Sequence, residues 1–261
     1  MINTPTVSVV IPTRNEAAWL DTNLRILTEI PIVSEIIVAD ASSTDQTPDI
    51  ALRRGCIVTD GGRPGVGRNA GRKVATSEFI LFLDADTYID NESISQAVGV
   101  LLSDKRVAAA NLRIKPLSRN PIDHLAYSFA MSYLRVVSAL GVGQGLGNAL
   151  LVKAGDFDAV SGFSEEINAG EDADLLYRVQ KMGRLVRILV HEVAWTSPRR
   201  FRLEGRARFF SKVVVWAALR VAGRRASLFP YRWHVYPPDW ATADLRELLR
   251  RRSSDDCARQ A

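Results

Sequence analysis

Two aspartates one residue apart, Asp84 and Asp86, follow the apolar run Phe79-Ile80-Leu81-Phe82-Leu83. Such a run predicts a buried strand. Strands alternate their side chains between faces, so both carboxylates project to the same side. Carboxylates placed this way are costly without a compensating charge, and a divalent cation is the commonest one. Oxygen ligands select Mg²⁺ or Mn²⁺, ions that typically bridge a protein to a substrate diphosphate. An Asp-x-Asp pair alone fits a solvated turn equally well, so its meaning depends on the elements around it.

Those elements alternate strand and helix. Residues 7–11 form an apolar run closed by Pro12, and residues 16–29 follow as a helix carrying Trp19, Leu20, Leu24 and Leu27. A second strand over 35–40 ends in Asp40. Thr47 as N-cap and Pro48 as first helical residue open a helix that Gly55 closes. A short strand, 56–59, leads to the glycine loop 61–67 and a helix from Arg68 to about Ala75. The loop has no Gly-Lys-Ser/Thr ending and no Gly-x-Gly-x-x-Gly spacing, which argues against a nucleotide-cofactor oxidoreductase. The pattern predicts a three-layer α/β fold with a mostly parallel central sheet, whose ligands gather at the C-terminal strand ends, where Asp40, Asp84 and Asp86 fall.

Further along, Asn91 caps a helix to about Leu102, 107–114 reads as a strand, and 123–140 reads as an apolar, aromatic helix containing Tyr127, expected mainly in the core, with the lining of an acceptor groove as its alternative. The glycine-rich run 141–147 leads to a strand over 148–152. A helix opens at Gly170-Glu171-Asp172-Ala173-Asp174 and is capped by Gly183. Its acidic first turn is equally what the helix dipole favours. A last strand over 184–190 ends at His191.

Charge is uneven along the chain. The net charge is +5, yet residues 199–252 hold 14 Lys or Arg against 4 Asp or Glu, so the rest is mildly acidic. A basic C-terminal region suggests phosphate or anionic-membrane contact, and the sparse aromatic interleaving ranks nucleic acid last. The apolar stretch 209–222 is broken by Lys212 and Arg220, too short to span a bilayer but suited to a membrane surface or to packing on the main domain. Residues after about Asp239 read as a polar tail. The two cysteines, Cys56 and Cys257, make no disulfide framework, and no basic-then-apolar leader opens the sequence. The expected location is the cytoplasm, with peripheral attachment to the inner face of the cell membrane.

Several segments taken together resemble family 2 glycosyltransferases of the GT-A fold: Val-Ser-Val-Val-Ile-Pro-Thr-Arg-Asn-Glu (7–16), Ile-Ile-Val-Ala-Asp-Ala-Ser-Ser-Thr-Asp-Gln-Thr (36–47), Gly-Arg-Asn-Ala-Gly (67–71), Phe-Leu-Asp-Ala-Asp (82–86), Ser-Gly-Phe-Ser-Glu (161–165) and Gly-Glu-Asp-Ala-Asp-Leu-Leu-Tyr-Arg (170–178). The resemblance implies a GT-A domain over 1–200, with a donor-binding half to about 110 and an acceptor half beyond it, followed by a basic helical extension over 201–261.

It also implies roles. Pro12, Thr13, Arg14, Glu16, Asp40, Arg68, Asp84 and Arg200 would contact a nucleotide-sugar donor, UDP-linked or GDP-linked. Asp40 would accept from the base, its alternative being a cap on the neighbouring loop. Arg14 stands where many relatives carry an aromatic residue that stacks on the base. Asp86 and Asp84, with His191 as a third candidate, would hold Mn²⁺ or Mg²⁺. Asp172 matches the general base of inverting members, with Glu171 its competitor. The acceptor is undefined, and a lipid-linked one would suit the basic C-terminal region. A retaining transferase and a nucleotide-sugar-binding protein without catalysis remain as alternatives.

Overall fold

The computed structural model describes residues 5–167, 170–208, 211, 215 and 236–260. The apolar runs become the sheet. Val7–Thr13 (β1) is buried along its whole length, as is Phe79–Leu83 (β4). Val33–Asp40 (β2) and Ile57–Asp60 (β3) complete the first half, joined by the helices Ala17–Leu27 (α1), Thr47–Arg53 (α2) and Pro64–Val74 (α3). Thr87–Ile89 (β5), Val107–Pro116 (β6), Ala149–Lys153 (β7) and Leu185–Thr196 (β8) extend the sheet to the order β3-β2-β1-β4-β7-β6-β8-β5. Strands β1 to β4, β6 and β8 share one direction, while β7 and β5 oppose it. The second half is completed by the helices Asn91–Ser103 (α4), Pro121–Ala139 (α5), Ala154–Ala159 (α6), Glu171–Lys181 (α7), Arg199–Glu204 (α8) and Pro238–Gln260 (α9).

Several expectations need correction. Helix α3 begins at Pro64, so Gly65 and Gly67 lie inside it. Those glycines permit close packing rather than loop mobility. A Cβ on Gly71 would sit 2.3 Å from Val10, one on Gly67 3.2 Å from Pro12, and one on Gly65 3.3 Å from Glu171. Thr47 does not cap α2: it is buried, and its hydroxyl accepts the Glu16 N–H. The cap of α4 is Asp90, whose carboxylate accepts from the Ser93 N–H at 2.7 Å, one residue ahead of Asn91.

Helix α5 is not mainly core. Ala126, Met131, Leu134 and Val137 are buried, but Ile122, Leu125, Phe129, Val136 and Leu140 are exposed, a stripe on one helical face. Nor is the end of the chain a loose tail. Tyr236 and, on α9, Ala241 and Leu248 are buried against Trp19, Tyr88 and Leu117 in a third apolar cluster. Asp244 on α9, fully buried, accepts from Trp19 Nε1, the Ser197 hydroxyl and Arg202. The 209–222 stretch lies outside the described residues apart from Ser211 and Val215.

Strand β8 runs on to Thr196 instead of ending at His191. Its end is paired on both edges, by β6 as far as Pro116 and by β5, a strand not expected from sequence: Thr87 faces Thr196, and the Ser197 N–H donates to the Asp86 carbonyl at 3.1 Å. That pairing sets the 197–201 segment beside Asp86.

Candidate active site

A cavity of about 330 Å³ opens at the C-terminal ends of β1 and β4, where a parallel sheet is expected to place a ligand. Asp84 and Asp86 leave β4 into it. Arg68, on the second turn of α3, reaches it from one side, and Glu171 and Asp172 from the first turn of α7. The two carboxylate-bearing regions therefore face one space.

Arg68 joins the halves of the molecule. Its guanidinium, 3% exposed as a residue, donates Nη2 to Asp84 Oδ1 and Nη1 to Glu171 Oε1, both at 2.9 Å. Burial works against its charge, but Asp84, Glu171 and Asp172 outweigh it and raise its pKa above the ordinary arginine value. Asn69, next in sequence, holds the 161–165 segment: its amide donates to the Phe163 carbonyl and to Glu165, and accepts the Phe163 N–H. Phe163 then packs edge-on against Phe82 of β4, with centroids 5.1 Å apart. The Ser-Gly-Phe-Ser-Glu segment thus works as a packing joint between α3 and α7.

Gly170 turns the chain into α7 with φ of +85°, a left-handed conformation that favours glycine. Asp172 follows, and its carboxylate accepts the Gly147 N–H at 2.8 Å and the Ala173 N–H at 2.7 Å. The Gly147 donor is held in place by Asn111 of β6, whose side chain bonds both the N–H and the carbonyl of Leu146. Glycine is required in this loop: a Cβ on Gly143 would sit 2.0 Å from the Tyr177 nitrogen of α7. Burial, reinforced by Glu171 and opposed by Arg68, pushes the Asp172 pKa up to about 7.

On the other side, Arg199 donates Nη1 and Nη2 to the two oxygens of Glu16, at 2.6 and 2.8 Å, and its Nε lies 2.8 Å from Asp86 Oδ2. Burial, with Arg199 opposing it and Glu16 and Asp84 adding to it, raises the Asp86 pKa to about 7. Burial likewise raises that of Glu16, against Arg199.

Of the residues expected at a site, Pro12, Glu16, Arg68, Asp84, Asp86, Glu171, Asp172 and Arg200 line this cavity. Thr13, Arg14, Asp40 and His191 do not. Thr13 is buried and its hydroxyl donates to Asp40. Asp40 also accepts the backbone N–H and hydroxyl of Ser43, which is the loop-capping alternative. Arg14 is exposed. His191 lies exposed within β8, because the strand continues five residues past it, and the structure does not bring it to the aspartates.

Sequence reasoning missed Arg199 and Asn148, whereas Tyr127 lines the cavity from the helix given an acceptor groove as its alternative. Arg199 and Arg200 are indistinguishable in sequence, and only the β5–β8 pairing decides which reaches Asp86. Asn148 lines the cavity with a buried Oδ1 that has no hydrogen-bond partner among the described residues.

Five lining carboxylates, Glu16, Asp84, Asp86, Glu171 and Asp172, face three lining guanidiniums, Arg68, Arg199 and Arg200. When all are ionised, one divalent cation would balance them. Among the described residues no three His, Cys, Asp or Glu side chains converge on a complete cage. The chemistry of Asp84 and Asp86 fits instead an ion that takes its other ligands from substrate phosphates and water.

The glycosyl transferase family 2 model matches residues 8–138, half of the chain. The chain belongs to glycosyl transferase family 2. Among curated relatives, this family 2 chain is 34% identical to the poly(ribitol-phosphate) beta-N-acetylglucosaminyltransferase TarS of Staphylococcus aureus over 105 residues, 36% of the chain and 18% of TarS. It is 26% identical to the pre-mycofactocin glycosyltransferase of Mycobacterium tuberculosis over 192 residues, 69% of the chain and 40% of that protein. The chain therefore spans less than half the length of these curated relatives.

Among solved structures, the mannosyltransferase PcManGT from Pyrobaculum calidifontis, in complex with GDP-Man and Mn²⁺, superposes with a TM-score of 0.62 at 20% identity, covering 97% of this chain and 76% of that one. TarS 1–349 with UDP-GlcNAc gives 0.56 at 21% identity, covering 85% and 68%. These likenesses establish the GT-A fold.

Proposed function

We propose that the protein is a metal-dependent, inverting glycosyltransferase that moves a sugar from a nucleotide-diphospho-sugar, UDP-linked by preference, to an acceptor hydroxyl. The observation that carries this reading is the placement of Asp172, half-buried with a pKa near 7, on the same cavity as Asp84 and Asp86. A base poised near the working pH combines availability with proton affinity. Glu171, its competitor, is tied to Arg68 at 2.9 Å and serves better as a structural counter-charge.

The nucleoside lies beside Pro12, with Asp40 and Arg14 toward the base, and the diphosphate lies toward Arg68 and Arg200. The acceptor oxygen attacks the anomeric carbon, its proton passes to Asp172, and the bond to the diphosphate breaks with its electron pair leaving on the nucleotide. Mn²⁺ or Mg²⁺ held by Asp84 and Asp86 would supply charge neutralisation at that leaving group. PcManGT with GDP-Man and Mn²⁺ supports the donor and metal classes by analogy.

Ligand-linked stability checks the donor side. At about 100 times Kd a ligand stabilises by about 2.7 kcal/mol, which for a chain this size is roughly 5–10 °C in Tm. UDP-sugars with Mn²⁺ should give that shift, GDP- and dTDP-sugars smaller ones. No shift with any of the three would remove the donor assignment.

The acceptor side is proposed to work against an anionic lipid surface. No helix among the described residues is long and apolar enough to cross a membrane. Helix α5, however, lines the cavity with Ala126, Tyr127 and Ala130 and turns Leu125 (72% exposed) and Phe129 (67%) outward. Arg119, Arg206, Arg250 and Arg251 gather at its first turn around Asp123 and Glu247, a local surplus of positive charge. Flotation with anionic vesicles should recover the protein and Leu125→Glu/Phe129→Glu should abolish recovery; equal recovery with neutral vesicles, or none, would dismiss the membrane contact.

A further inference from the structure

Arg199 has a role that neither the donor nor the base requires. All three of its nitrogens are committed to two carboxylates, Glu16 and Asp86, at 2.6–2.8 Å. Two aromatic rings pack against its guanidinium: the Trp19 ring centroid lies 4.7 Å from the guanidinium carbon and that of Tyr236 4.3 Å. Trp19 is itself anchored through Nε1 to the buried Asp244. A guanidinium bonded through all three nitrogens and packed against two rings does not swing aside for an arriving ion.

We infer that Arg199 is a resident cation of the Asp86 site that makes divalent-ion binding wait for the nucleotide. This rests on the reading of Asp84 and Asp86 as ion ligands. In the nucleotide-free protein each of them already carries an arginine partner, Arg68 for Asp84 and Arg199 for Asp86. A dication arriving alone must share Asp86 with a fixed positive charge 2.8 Å away. The diphosphate brings further negative oxygen ligands that offset this repulsion, so ion and donor enter together. Arg199 is thus a positioning residue that sets the order of binding.

The test is a Mn²⁺ titration of the full chain, followed by the electron-spin-resonance signal of free Mn²⁺, with no sugar donor and no turnover. Wild type should bind Mn²⁺ at least about tenfold more tightly with UDP than without it. Arg199→Met keeps an apolar stem beside the rings and removes the charge. It should tighten UDP-free binding by about tenfold or more, whereas Arg199→Lys should leave it weak. Wild-type affinities within about threefold with and without UDP would overturn the inference even if the Met variant failed to fold. So would a folded Arg199→Met that binds no tighter than wild type. If instead Asp86→Asn left Mn²⁺ binding in the presence of UDP unchanged, the ion-ligand reading itself would fail, a distinct result.

Discussion

Replacing Asp172 by Asn is expected to cut turnover by about 10²–10⁴-fold, the usual worth of a general base, while Kd for the donor stays within a few-fold. The side chain accepts N–H bonds from Gly147 and Ala173, so it is held in place by groups that do not depend on substrate. Asparagine keeps the shape but has no basic oxygen. Glu171→Gln should act differently, weakening the contact with Arg68 and lowering stability before it lowers the chemical step. Retained turnover in Asp172→Asn, with folding verified by thermal melting, would exclude Asp172 as the base.

The pH dependence follows from the same group. Its pKa is raised from 3.8 to about 7, so below pH 7 it is protonated and cannot take the acceptor proton. The acid limb of kcat/KM should therefore fall with an apparent pKa near 7 and be missing from whatever activity remains in Asp172→Asn. The linkage to folding has the matching sign. A folded state that holds the proton more tightly than the unfolded one loses stability as pH rises from about 4 to 7.

Arg68→Met should destabilise the protein by about 3–5 kcal/mol, because it strips the partner from Asp84 and Glu171 at once. The lower end is expected, since the Asp84 side chain is one-third exposed and solvent takes up part of its charge. Arg68→Lys should not rescue it: one ammonium cannot reach two carboxylates on opposite sides of a planar fork. Urea unfolding gives the measurement, and a loss below about 1 kcal/mol would mean that Arg68 is not the joint between the halves.

The parts of the fold legible in the sequence were those written as uninterrupted apolar runs, as in β1 and β4, and those closed by residues with one backbone habit, as at Gly55 and Gly183. The convergence of Asp84 and Asp86 with Asp172 followed from strand and helix ends falling on one edge of a sheet. Where reading failed, two physical causes competed for one signal. Glycine at 65 and 67 looked like chain freedom but serves close approach. Strand β8 overran His191, its far end paired with β6 and with β5, a three-residue strand too short to announce itself. Arg199 was invisible beside Arg200, since adjacent identical residues differ only in which way the folded chain turns them.

One buried carboxylate has a practical consequence. Asp244 receives donors from α1, from the end of β8 and from α8, so the last helix works as a keystone. A version of the protein trimmed before that residue would sacrifice the backing of the Trp19 and Arg199 stack, and changes made for purification or fusion belong beyond it.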